Sequence, residues 1–157
     1  MTTVSHELEP TISATYERLR PTLVRVAYLL TSDAQEASDL VQDAFEAALP
    51  RWGQIDDHDA YLRRAVTNRA YNATRNRTRR TDKQHRAGRE RLSEISDHEF
   101  LGDLIEQLPA RQRAVVVLRF YLDLPQAEIG AALGMRAGSV GPTLQRALRS
   151  LDKELRP

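Results

Sequence analysis

The strongest constraint on this chain lies near its C-terminus, in the stretch PQAEIGAALGMRAGSVGPTLQRALRSL from Pro125 to Leu151. Ile129 and Leu133 stand one helical turn apart, with small Gly130 and Ala131 beside them, where a second helix can cross closely. Gly134 ends this helix, because glycine takes the left-handed closing conformation at little steric cost, and Ser139 is placed to cap the next one. The second helix carries Val140, Leu144, Ala147, Leu148 and Leu151 on one stripe, leaving Gln145, Arg146, Arg149 and Ser150 outside or flanking it. The pattern predicts a helix-turn-helix, but a plain helical hairpin fits this stretch equally well.

The remaining 130 or so residues decide between the two. Aromatic residues make up only 6% of the 157, so composition predicts small helical domains and no single large core. No cysteine is present, which excludes disulfides and thiolate chemistry and agrees with a reducing cytoplasm. No apolar run approaches the ~20 residues of a membrane span, and the N-terminus does not read as a secretory signal, so a cytoplasmic protein without membrane contact is expected.

Helical spacing of Ile12, Tyr16, Leu19, Leu23, Ala27 and Leu30 predicts a first helix with a break or kink just before Pro21. Asp33, with Glu36 three residues on, predicts a capped start for the next. From Ala34 to Leu49 one face is apolar (Ala37, Leu40, Val41, Ala44, Phe45, Ala48, Leu49), and Glu36, Asp39, Asp43 and Glu46 form an acidic stripe on another. No Lys or Arg lies in that segment to pair with the stripe. It reads as a solvated face or as a docking face for a basic partner.

Pro50 to Asp59 reads as a loop holding Trp52, with Asp57 or Asp59 capping the following helix. That helix, from Ala60 to about Arg80, contains no acidic residue; Tyr61, Arg64, Asn68, Asn72, Arg75 and Arg79 fall on one polar stripe. Solvated helices ordinarily mix charge signs, because i to i+4 ion pairs help them and like charges hurt. Arginine and asparagine interleaved with Tyr61, Tyr71 and nearby Trp52 instead suit phosphates, base edges and unpaired bases.

The polar segment from about 81 to 99 reads as a linker between a helical module over residues 10–80 and a second over 100–155. In the second, Phe100, Leu101, Leu104, Ile105 and Leu108 predict a short helix. Val115, Val116, Leu118 and Leu122 predict another, facing the helix-turn-helix. Of the four histidines (His6, His58, His85, His98), each reads as a surface residue and none has metal-ligand spacing. No nucleophile elbow, P-loop or dinucleotide fingerprint is present, so no catalytic residue, metal or cofactor is expected.

In this order, the segments AYLLTSDAQEASDLVQDAFEAAL, YLRRAVTNRAYNATRNRTRR and IEQLPARQRAVVVLRFYLDLPQAEIGAALG resemble a bacterial extracytoplasmic-function (ECF) sigma factor, similar to the actinobacterial SigE-like type. The run DLVQDAF is the most specific of these. The resemblance implies an all-α fold of two small helical domains, a sigma region 2 bundle and a sigma region 4 helix-turn-helix. It implies that Glu36, Asp39, Gln42, Asp43 and Glu46 dock on the β′ clamp helices of core RNA polymerase, and that the second module rests on the β flap. Trp52, Arg64, Asn68, Asn72, Arg75, Arg79 and Arg80 would open and read the −10 promoter element. Arg136, Ser139, Thr143, Gln145, Arg146 and Arg149 would engage the −35 element. An anti-sigma factor is a further class of partner.

One departure stands out. The family places a basic residue shortly after the position of Val140 and another two residues later, where this chain has Gly141, Pro142 and Thr143. Two other readings therefore stay open: a stand-alone helix-turn-helix regulator, and a sigma-like adaptor that binds proteins only.

Overall fold

The computed structural model describes residues 11–77 and 99–156, and every regular element among them is helical. Arg79, Arg80, His6, His85, His98 and all but the last residue of the expected linker lie outside the described residues.

The first module is a three-helix bundle. Helix α1 (Ile12–Thr31) starts where the Thr11 hydroxyl accepts from the Ala14 N–H and ends at Ser32 in the left-handed conformation, whose N–H donates to the Tyr28 carbonyl. The expected break at Pro21 is absent, for α1 runs through it. Pro21 and Glu17 are both exposed, so water can serve the Glu17 carbonyl that the proline ring leaves without its usual donor. Helix α2 (Ala34–Ala48) is capped by the Asp33 carboxylate, which accepts from the Glu36 N–H at 3.0 Å. It buries Ala37, Val41, Ala44, Phe45 and Ala48. Leu49, expected on the same face, instead enters a short 3-10 helix over Leu49–Gln54 and is 53% exposed. Helix α3 (His58–Arg77) packs on both predecessors, burying Leu62, Val66, Thr67, Ala70, Tyr71 and Thr74.

Its N-terminal turn is fixed twice. The Asp57 carboxylate accepts from the Ala60 N–H, and Arg18 of α1 donates two 2.7 Å hydrogen bonds to Asp59. The hydrogen bond from Arg18 holds the Asp59 carboxyl below its ordinary range, against a smaller opposing effect of burial. A group depressed in this way stabilises the fold above the ordinary carboxylate pKa and loses that contribution as pH falls through its folded value. The denaturation midpoint of Asp59→Asn should therefore lie below wild type at pH 7, and the gap should close below about pH 4; a constant gap would contradict the assignment.

The second module comprises α4 (Glu99–Glu106), α5 (Ala110–Phe120), α6 (Gln126–Leu133) and α7 (Ala137–Leu155). Five consecutive residues of α5, Ala114 to Leu118, are buried. A helix buried on all sides has neighbours on all sides, and α5 contacts α6 and α7 on one hand and α1 and α3 on the other. The buried residues of both modules consequently form one continuous apolar cluster. This corrects the expectation that scarce aromatics preclude a single core. Leucine, isoleucine, valine and alanine fill it, with Phe45 and Tyr71 the buried aromatics among the described residues.

Candidate nucleic-acid interface

Three polar surfaces stand on this frame. On α3, Arg64, Asn68, Asn72 and Arg75 are exposed, and their spacing sets them along one side of the helix. The Asn72 amide donates to the Asn68 side-chain carbonyl at 3.0 Å, and the Arg75 guanidinium lies 5.7 Å from the centre of the Tyr71 ring. Tyr71 itself is only 5% exposed, so it belongs to the core and is removed from the stacking aromatics expected there. Asn68 donates a long 3.4 Å hydrogen bond to the Ala132 carbonyl of α6.

Next to the N-terminal end of α3, the loop is more structured than the sequence suggested. Trp52 stacks on His58 at 4.0 Å between ring centres and 23° between planes, and the His58 Nε2–H donates to the Trp52 carbonyl at 2.9 Å. His58 is buried, which corrects its expected surface position: a tryptophan close by in sequence covers it. One face of Trp52 is thereby taken. Beside this pair opens a pocket of about 360 Å³ lined by Arg51, Gln54, Ile55, Asp56, Asp57 and Tyr61. An aromatic ring, an amide, a guanidinium and two carboxylates around one open hollow supply both a stacking surface and donors and acceptors for a planar heterocycle edge. Arg51 was missed from sequence because a lone arginine after proline has no periodic signal; only the turn of the 3-10 helix brings it to Tyr61.

On α2, Asp39, Gln42, Asp43 and Glu46 are exposed. Gln35 donates to Asp39 and Gln42 donates to Glu46, while Tyr16 donates to the Gln42 carbonyl oxygen. Among the described residues, Asp39, Asp43 and Glu46 form no ion pair. Glu36 differs from them: it is half-buried in the first turn, where its N–H completes the cap.

The third surface belongs to α6 and α7. Gly134 closes α6 with φ +66, and the chain turns tightly enough that a Cβ on Gly130 would stand 2.8 Å from the Met135 carbonyl oxygen. Gly130→Val should therefore force the turn apart and cost about 1–3 kcal/mol of stability, readable by denaturant titration; wild-type stability would contradict the crossing. Helix α7 begins at Ala137 with Arg136 at its cap position, three residues before the expected cap, so Ser139 lies inside the first turn and is not the cap. Arg136, Ser139, Gln145, Arg146 and Arg149 are exposed. Thr143 is not: it is 6% exposed and its hydroxyl donates to the Ser139 carbonyl, so it is removed from the outward face. The reason is helical phase, since Thr143 sits between the buried Val140 and Leu144 and Ala147.

Residues 15–80 match the family model described as Sigma-70 region 2, and residues 100–151 match Sigma-70, region 4. The chain is 39% identical over 145 residues to the RNA polymerase sigma-E factor of Streptomyces coelicolor, covering 85% of this chain and 79% of that protein. The sigma-E factor of Streptomyces antibioticus is 37% identical over the same length, covering 85% and 78%. Among solved structures, the fold matches the sigma factor RpoE in complex with the anti-sigma factor NepR from Bartonella quintana. There the TM-score is 0.69 at 20% identity, over 90% of this chain and 94% of that one. It also matches CnrH in complex with the cytosolic domain of CnrY (TM-score 0.67, 24% identity, 92% and 86% covered).

Proposed function

The chain belongs to the extracytoplasmic-function sigma factors of the sigma-70 family, and from that premise we propose how its surfaces divide the work of promoter-directed initiation. It acts as an alternative sigma factor, supplying recognition while core RNA polymerase supplies the chemistry, in the cytoplasm where both meet the chromosome. Among the described residues no helix is long and apolar enough to cross a membrane.

Residues 10–80 form region 2 and residues 100–155 region 4, with 81–99 as the connection. The exposed acids of α2 dock on the basic clamp helices of β′, and region 4 rests on the β flap. The α3 stripe of Arg64, Asn68, Asn72 and Arg75 holds the −10 strand, and the same role is proposed for Arg79 and Arg80, which follow it in the sequence. Trp52 buttresses the neighbouring pocket through His58. On α7, Arg136, Ser139, Gln145, Arg146 and Arg149 face −35 DNA. Because two solved proteins of this fold are complexes, one of them with a protein called an anti-sigma factor, a regulator of that class is proposed as a further partner.

The observation that carries the −10 assignment is the joining of an acid-free polar stripe to an open pocket with an aromatic wall. Capturing a base from the duplex costs a few kcal/mol of unstacking, which ring contact and edge hydrogen bonds must offset. An adenine analogue that fluoresces when unstacked, placed successively through the −10 element, should brighten at one position as the holoenzyme opens the promoter. With Tyr61→Ala and Gln54→Ala that signal should fall while closed-complex binding persists. Undiminished fluorescence would remove the pocket from base capture.

A further inference from the structure

The first turns of α7 carry no long polar side chain. After Arg136 come Ala137, Gly138, Ser139, Val140, Gly141 and Pro142, and the next exposed long side chain is Gln145. The space above Gly141 is not empty, however. Gln126, the first residue of α6, lays its side chain there: its amide nitrogen and oxygen stand 3.6 and 3.7 Å from where a Cβ on residue 141 would be. Gln126 is exposed.

In a helix-turn-helix the second helix enters the major groove by its N-terminal residues while the first crosses the backbone. A side chain from the start of α6 lying against the fifth residue of α7 is therefore carried to the groove edge. A carboxamide is suited to one base, since it can accept from adenine N6 and donate to N7 together. We propose that Gln126 is a base-reading residue of the −35 contact with adenine as its target, and that bare Gly141 is what admits it. This rests on the sigma-factor reading.

The test is transcription by reconstituted holoenzyme from promoters randomised across the −35 element. Wild type should prefer A·T at one position, and Gln126→Ala should reduce that preference by roughly 5- to 150-fold, the range of one bidentate base contact. Gly141→Leu, which fills the space Gln126 occupies, should flatten the same position. Unchanged preferences in Gln126→Ala would overturn the proposal, as would a uniform loss at all sequences, which denotes a phosphate contact. Absence of transcription by wild type from every promoter would instead defeat the sigma-factor reading.

Discussion

Asp39→Arg combined with Asp43→Arg should abolish co-purification with core RNA polymerase. The two carboxylates project from the exposed side of α2, away from Ala37, Val41, Ala44 and Phe45, and neither forms an ion pair within the described protein. Their replacement therefore removes no packing. Against a basic docking surface the exchange turns attraction into juxtaposed like charges, which cost several kcal/mol in an interface, an affinity loss on the order of 100-fold or more. The melting temperature should stay near wild type. Retained polymerase binding by a folded double variant would remove α2 from the interface.

The second large effect concerns the α3 stripe. Each phosphate neutralised by an arginine releases counterions and steepens the salt dependence of binding by about 0.7–0.9 in the log–log slope. Replacing Arg64 and Arg75 together by alanine should make the slope of holoenzyme affinity for promoter DNA shallower by about 1.4–1.8. Promoter affinity at low salt should drop accordingly, while core binding is untouched. An unchanged slope would mean that these guanidinium groups face solvent and that the −10 strand runs elsewhere.

What could be read before the fold was known followed from periodicity and charge. The α2 stripe was legible because its apolar and acidic residues repeat at 3 to 4, and the α3 stripe because a run without an acid from Ala60 to Arg80 is unusual for a helix that faces water. Gly134 was legible because a left-handed cap has few other occupants. The losses came from tertiary packing. Tyr71 and His58 look polar enough for a surface, yet the bundle buries one and Trp52 covers the other. Thr143 looked like a reader until helical phase turned it inward. Val117 and Ala114 gave no sign that α5 would be sandwiched between modules, because a contact between halves joined by a long connection leaves no local period. Gln126 was passed over for the same reason: its importance comes from the helix it meets.

Run-off transcription with purified core polymerase and fragmented genomic DNA, followed by sequencing of the transcript starts, tests most directly whether this chain confers promoter choice on polymerase. New starts should appear only when the protein is added, preceded by a shared pair of motifs near −10 and −35, and should be lost with Asp39→Arg and Asp43→Arg. Starts identical with and without the protein would contradict it, above all if the protein alone bound duplex DNA tightly as a dimer.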